Sequence, residues 1–360
     1  MNTIQIHGVQ LLPREYIVEW SATPLGDCFR HAPFRTRYES NVPPNALYPT
    51  QQFLSVILPI YSAIHKQVVI VSPFTIHADI QNYWERIFKV IKMPKSQTHW
   101  FSTAPDKQIG FKTTEVACGR PGILFGGGVE SSFAVYSLER MKPVLLSLTG
   151  ENMMNNRPNY QVKKELENEL IRIRGLNLQR VTTNAYSLLR RGDCTQHRFT
   201  TGLLMYWSFV PLSEVFRLNV IYKGSELEEA LDYGNKQNIA LHPTSIKHFS
   251  APGEAMFLPL FNCYPKIEMM AELSKTDFIK YVYSCLNNTK ERWCGKCFKC
   301  ARMSAYCHYL NIDPAIIGMR KDIPWKPETG EVTKYFWSIA ERLYGKRMPT
   351  PDGVSCQPRL

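Results

Sequence analysis

Several features are missing from this 360-residue sequence, and each absence removes a class of protein. The opening MNTIQIHGVQ has no basic stretch followed by an apolar run, so it does not read as a secretory signal. The longest strongly apolar stretch, Phe53 to Ile64, is too short to span a bilayer and is interrupted by Pro59. There is no internal repeat and no low-complexity tract, and 44% hydrophobic with 21% charged residues excludes a disordered or collagenous chain. Neither a GxxxxGK[ST] loop nor a GxGxxG fingerprint is present. The expectation is a folded cytoplasmic protein with no membrane contact.

Acidic residues are also in short supply. Lys plus Arg number 43 against 31 Asp plus Glu, a surplus of +12 that favours phosphate-bearing or otherwise acidic partners. Length favours two domains. Residues 1–112 read as a small α+β domain. Ile4 to Gln10 and Tyr16 to Trp20 would pair as strands, 21–50 forms a long loop, Phe53 to His65 a helix and Gln67 to Val71 a strand. From 113 to 320, strands and helices alternate: Gly122 to Phe125, Pro143 to Leu148, Leu178 to Thr182 and Val220 to Lys223 as strands. The helices are Ser131 to Arg140, Tyr160 to Arg174 and the apolar Thr200 to Arg217, with a further helix from Lys266 to Leu273. That order predicts an α/β fold with a doubly wound, mostly parallel sheet, whose ligands bind beyond the carboxyl ends of the strands. Residues 321–360 form a basic tail with one helix, Val332 to Leu343.

The first chemical signal is the segment Ile123-Leu124-Phe125-Gly126-Gly127-Gly128-Val129-Glu130-Ser131-Ser132. Contiguous glycines let the backbone turn tightly and bring N–H groups to an anion. The helix that follows presents its N-terminus, and Ser131 and Ser132 add hydroxyls. Glu130 can hold Mg²⁺ beside the phosphates. The plainer alternative is a tight strand-to-helix turn whose serines cap the helix. Lys223 and Glu226 follow the fourth strand at the ligand end; the basic cluster Arg190, Arg191, Asp193, His197 and Arg198, which precedes the apolar helix, could hold a substrate phosphate or carboxylate or be a solvated loop. Lys275 and Asp277 are weaker candidates, and His242 and His248 read as solvated or structural.

The second signal is Cys285-x8-Cys294-Gly-Lys-Cys297-Phe-Lys-Cys300, four thiols at spacings suited to a closed tetrahedral Zn²⁺ site. Gly295 relieves the knuckle, and Lys296, Lys299 and Arg302 offset the thiolate charge. Four thiolates leave no open position, so the role is structural, pinning a loop near the active site. Cys307 belongs to the next helix, and Cys28, Cys118, Cys194, Cys263 and Cys356 read as small hydrophobes.

Gly126 to Ser132 resembles the SGGxDS loop of the PP-loop ATP pyrophosphatases, with Gly126 in place of the first serine and Glu130 in place of the aspartate. The cysteine spacing resembles that of 7-cyano-7-deazaguanine synthases. The wording Arg292-Trp293-Cys294-Gly295-Lys296-Cys297-Phe298-Lys299-Cys300 resembles the UDP-N-acetylmuramoyl-L-alanyl-L-glutamate epimerases. The resemblance implies a fold of the adenine nucleotide alpha-hydrolase type, the cofactors ATP, Mg²⁺ and Zn²⁺, and adenylation of a substrate carboxylate with release of pyrophosphate. Gly126, Gly127, Gly128, Val129, Glu130, Ser131 and Ser132 would bind ATP, and Glu130, Ser131, Lys223 and Glu226 would serve catalysis. The acyl-adenylate would be epimerised as in the muropeptide branch. Alternatives are conversion to an amide or nitrile, conjugation of a deazaguanine to an amine, and tRNA modification or RNA binding by a zinc protein. Nucleic acid is the less favoured partner, and a homodimer is compatible with the sequence.

Overall fold

The computed structural model describes residues 2–24, 29–93, 97–111, 119–150, 158–189, 200–226, 243–261, 263–285 and 292–321. The expected domain boundary near 112, the cluster Arg190 to Arg198, His242, four of the scattered cysteines (28, 118, 194 and 356) and the helix 332–343 lie outside the described residues.

Among the described residues, twelve strands and nine α-helices follow one another. β1 (Thr3–Leu12) and β2 (Glu15–Thr23) form an antiparallel hairpin, followed by β3 (Phe34–Tyr38), α1 (Leu47–Ile64), β4 (Gln67–Ser72), β5 (Thr75–Ile76), α2 (Ala78–Val90), β6 (Gln97–Ser102) and β7 (Gln108–Ile109). Then come β8 (Arg120–Leu124), α3 (Val129–Leu138), β9 (Val144–Gly150), α4 (Pro158–Arg174), β10 (Asn177–Thr183), α5 (Ala185–Leu188), α6 (Thr201–Phe216) and β11 (Leu218–Gly224). The chain continues through α7 (Pro243–Ile246), β12 (Met256–Leu260), α8 (Lys266–Ser274) and α9 (Phe298–Leu310).

Ten strands make one sheet in the order β12-β11-β8-β9-β10-β3-β2-β1-β4-β6. The run from β12 to β10 is parallel throughout, the pairs β10/β3, β3/β2 and β2/β1 are antiparallel, and β1/β4 and β4/β6 are parallel again. This is the expected α/β, mostly parallel, doubly wound architecture. Side chains of β9 alternate between two apolar cores: Val144 and Leu146 join one with α1, α2 and α6, whereas Leu145 joins the other with α3, α8 and α9. Helices therefore cover both faces of the parallel half, as strands with two buried faces require.

Residues 21–50 are not the single loop expected from their polar composition. They contain β3, which joins the two halves of the sheet by pairing with β2 on one side and β10 on the other. Its alternation buries Phe34, Thr36 and Tyr38 while Arg35 and Arg37 point the other way to Glu15, so two arginines in five residues disguise a strand. The sheet accordingly runs without interruption from residues 1–112 into 113–320. The first long helix starts at Leu47, six residues before the expected Phe53, and its buried glutamines are anchored at one end each: Trp84 Nε1 donates to Gln51 Oε1 at 2.9 Å and Gln52 Nε2 to the Trp207 carbonyl at 3.1 Å. Pro259 is accommodated in β12, an edge strand, where a missing N–H costs no ladder bond. Cys263, expected as a small buried hydrophobe, is exposed, whereas Cys307 is buried on α9. Among the described residues, no helix is long and apolar enough to cross a membrane.

Candidate functional site

From β8 the sheet grows to one side through β9 and β10, then the chain crosses back to add β11 and β12 on the other side. The carboxyl end of β8 is thus the topological switch point, where neighbouring connections diverge and leave a crevice. The glycine loop occupies it. Gly127 adopts φ +77°, a left-handed conformation that favours glycine, and Gly128 is the N-cap of α3. The Gly128 carbonyl accepts from the Ser132 N–H at 2.9 Å and from Ser131 Oγ at 3.2 Å. Gly224, closing β11, abuts the same helix end: a Cβ there would lie 2.8 Å from the Glu130 carbonyl oxygen and 3.1 Å from the Ser131 nitrogen.

A cavity of about 380 Å³ opens at this point. Gly126, Gly128, Val129, Glu130, Ser131 and Lys223 line it, together with Lys266, Lys299 and Arg302. Its apolar lining includes Leu146, Leu148, Met205 and Phe209, and Tyr160 and Lys163 line it as well. Lys163 is held in place by Glu167 at 3.3 Å, whose second oxygen takes Arg180 of β10 at 3.1 Å.

Lys266, the first residue of α8, is buried and carries the central charge interaction. Its Nζ lies 2.6 Å from Glu130 Oε1 and also contacts Glu226 Oε2. Burial works against the charge on Glu130, but the ammonium outweighs it and holds the carboxyl well below its ordinary range. Burial likewise opposes the charge on Lys266, and the two carboxylates override it and push the ammonium well above its ordinary value. Lys223 Nζ donates to the Gly224 carbonyl and Ser225 Oγ, each at 3.4 Å.

The four cysteines converge as their spacing requires. Every pair of Sγ atoms lies within 4.8 Å, with Cys297 to Cys300 at 3.5 Å, Cys294 to Cys300 at 3.7 Å and Cys285 to Cys300 at 3.8 Å. Backbone N–H groups of Cys294, Lys296 and Cys297 point at these sulfurs, and Gly295, at φ +68°, makes the knuckle turn. Cys297 caps α9 and Cys300 lies in its first turn, where the helix dipole favours thiolate. Among the described residues this is the one group of three or more His, Cys, Asp or Glu side chains able to hold a metal ion.

The structure brings the glycine loop, Lys223 and, through Lys266, Glu226 together. Gly127 and Ser132 do not line the cavity: the Gly127 carbonyl accepts from the Tyr283 N–H at 2.6 Å, and Ser132 is wholly buried. Asp277 lies elsewhere, paired with Arg174, and Lys275 pairs with Glu272 on the surface. Sequence reasoning missed Lys266, Lys163, Tyr160 and Tyr283 as cavity residues, and read Lys299 and Arg302 solely as balancing thiolate charge. For Lys266 a signal existed. A cation directly after Pro265, opening a helix, opposes the dipole and needs acids nearby.

No protein-family model matches this chain, and no curated protein is similar to it. Among solved structures, the chain is similar to the U34-tRNA thiolase NcsA from Methanococcus maripaludis with its 4Fe-4S cluster. The two are 12% identical over 78% of this chain and 84% of that chain, with a TM-score of 0.33. At that score the likeness carries no argument about this chain's chemistry.

Proposed function

We propose that the chain is an AMP-forming ATP pyrophosphatase of the PP-loop type that activates a substrate oxygen by adenylation. One observation carries the reading: a triple-glycine loop at the switch point of a parallel sheet, opening a helix and facing a cavity with five cationic side chains, Lys163, Lys223, Lys266, Lys299 and Arg302. Backbone N–H groups and the helix N-terminus suit the β- and γ-phosphates, and the apolar lining residues suit a nucleoside. A substrate oxygen attacks the α-phosphorus, the bond from that phosphorus to the bridging oxygen breaks, and pyrophosphate leaves into the cradle. The chain's contribution is positioning and charge neutralisation.

Two metals fit the residues present. Glu130 and Glu226 offer hard oxygens to Mg²⁺, which when bound neutralises phosphate charge; in the structure both carboxylates are matched by Lys266. The four thiolates fit Zn²⁺: a tetrahedral ion with sulfurs at about 2.3 Å requires sulfurs about 3.8 Å apart. A multi-iron cluster would hold its thiolates further apart than the 4.8 Å limit found here.

The substrate class we favour is a carboxylate, whose acyl-adenylate is then epimerised or captured by an amine. A second reading, tRNA modification, is favoured by the surplus of +12. The test is incubation with α-labelled ATP, Mg²⁺ and either a panel of carboxylic acids or tRNA. AMP and pyrophosphate that depend on an acid support the first reading, and dependence on tRNA selects the second. AMP formation left unchanged by Glu130→Ala overturns the assignment of the loop.

A further inference from the structure

We propose that Lys163 and Tyr160 form a subsite for a carboxylate carried by the substrate that is adenylated, beside the phosphate cradle and apart from the nucleoside. This rests on the nucleotide reading above and narrows its substrate class to acids with a second anionic group. The two residues lie one turn apart on α4, and both line the cavity. The Lys163 side chain is nine-tenths buried, and its Nζ lies 3.3 Å from Glu167 Oε1, an oxygen that takes no hydrogen bond. The other oxygen of Glu167 accepts from Arg180 Nε at 3.3 Å and Nη2 at 3.1 Å, which fixes the carboxylate behind the lysine. Among the described residues Lys163 therefore has a counter-charge on one side and no hydrogen-bond acceptor. A buried ammonium in that state calls for oxygens from the cavity. Burial raises the Tyr160 hydroxyl above its ordinary range, so it stays protonated and is a second donor.

The fold separates this pair from the apolar lining. Leu146 and Phe209 belong to the core on the α6 face of the sheet, with Leu148 packed against it, whereas Leu170 of α4 shares the opposite core with Val129 and Phe133 of α3. The surface that suits a nucleoside thus comes from one face, and Lys163 and Tyr160 from the face that carries the glycine-loop helix. The parallel crossovers β8-α3-β9 and β9-α4-β10 step in the same direction across the sheet, which sets α3 and α4 side by side with both N-termini at the carboxyl edge. Tyr160 and Lys163 fall in the first two turns of α4, about one helix spacing, roughly 10 Å, from the cradle at the start of α3. With the nucleotide's phosphates in the cradle, an anion at α4 belongs to the other reactant. Glu167 already answers part of the lysine's charge, so one ammonium and one phenol match the two oxygens of a singly charged carboxylate better than a doubly charged phosphate.

The experiment is calorimetric titration of the full chain, saturated with Mg²⁺ and the non-hydrolysable α,β-methylene analogue of ATP. The titrants are straight-chain dicarboxylates of four to eight carbons and the monocarboxylates of the same lengths. Wild-type protein is expected to bind the best dicarboxylate at least about tenfold more tightly than its monocarboxylate. Lys163→Met removes that margin, Tyr160→Phe narrows it about threefold and Lys163→Arg keeps most of it, while affinity for the ATP analogue changes by less than about twofold in all three. Dicarboxylates that bind no better than monocarboxylates, or a margin that survives Lys163→Met, overturn the proposal. So does an ATP-analogue affinity that falls in Lys163→Met as steeply as the dicarboxylate's, which would place the lysine on the nucleotide. If circular dichroism shows that Lys163→Met fails to fold, Tyr160→Phe, which changes no charge, decides: a narrowed margin supports the subsite and an unchanged one overturns it. Wild-type protein that binds no ATP analogue overturns the nucleotide reading; a Lys163-dependent margin that persists without the analogue leaves the subsite standing, and its absence overturns both.

Discussion

Lys266 Nζ stands 2.6 Å from Glu130 Oε1, joining the first helical turn after the glycine loop to a helix that begins 136 residues later in the chain. The same ammonium contacts Glu226, two residues past the end of β11, so three separate segments at the carboxyl edge of the parallel strands meet in one largely buried charge cluster. Its net charge is negative by one when both carboxylates are ionised, a deficit that Mg²⁺ or the neighbouring cations would offset.

Lys266→Met leaves two carboxylates without their counter-ion and is expected to destabilise the chain by about 3–5 kcal/mol near neutral pH. The pH dependence follows from the directions of the shifts. Glu130 is held below its ordinary 4.5, so its share of the stability is present above that value and is lost as pH falls through the lower folded-state value. Lys266 is held above its ordinary 10.5, so its share is present below that value and is lost as pH rises through the higher one. Urea unfolding of both proteins should show a constant deficit between these limits that narrows in acid, where the variant's carboxylates protonate. A deficit independent of pH down to about 3 would mean that Lys266 acts by packing.

The metal centre makes a spectroscopic prediction. One zinc per chain is expected by elemental analysis, with no visible absorption in anaerobically purified protein. A brown protein with several irons per chain would instead assign an iron–sulfur cluster. Cys300→Ser should abolish stoichiometric metal binding. Cys307→Ser should leave it intact, because Cys307 is buried on the same helix outside the converging set.

How much of this was legible depends on the range of the interactions. The glycine loop, the cysteine knuckle and the parallel strands are local patterns, and the structure places them as their spacing implies. The charge cluster is not local: Lys266 meets acids 136 and 40 residues before it in the sequence. The junction between the sheet's two halves is equally remote. There the Arg35 N–H donates to Asn184 Oδ1 at 2.8 Å and the Asn184 side chain donates to the Pro33 carbonyl at 2.8 Å. Composition marks 21–50 as a loop because of the arginines of β3; they are indeed partly exposed, but on one face of a strand, beside Glu15 of the adjacent strand, while Phe34, Thr36 and Tyr38 are buried on the other.

Substrate class is settled by salt. If RNA is the substrate, its affinity should fall steeply with ionic strength as Lys and Arg release counterions, by about 10³ or more between 50 and 200 mM salt for six phosphate contacts. A small carboxylate meeting the cavity through one or two charges would lose far less. A filter-binding series with tRNA across that range separates the two, and weak binding with a shallow slope would remove the RNA reading.

The glycines of the loop make opposite predictions, because their surroundings differ. A Cβ on Gly126 would meet nothing within 4 Å, and its φ is not left-handed, so Gly126→Ser should change stability by no more than about 0.5 kcal/mol. It would also add a hydroxyl where the SGGxDS loop that this segment resembles has one, and, on the proposed nucleotide reading, tighter binding of pyrophosphate is the expected result. At Gly224 the added carbon would press on the Glu130 carbonyl at 2.8 Å and on its carbonyl carbon at 2.9 Å, backbone that cannot swing aside. Gly224→Ala should therefore cost about 1–3 kcal/mol and push α3 away from β11, widening the gap that Lys266 spans between Glu130 and Glu226. Thermal unfolding and pyrophosphate titration of the two variants check both sides. A tolerant Gly224 with a damaging Gly126 would mean that the loop meets its ligand by a different edge than the one facing the cavity.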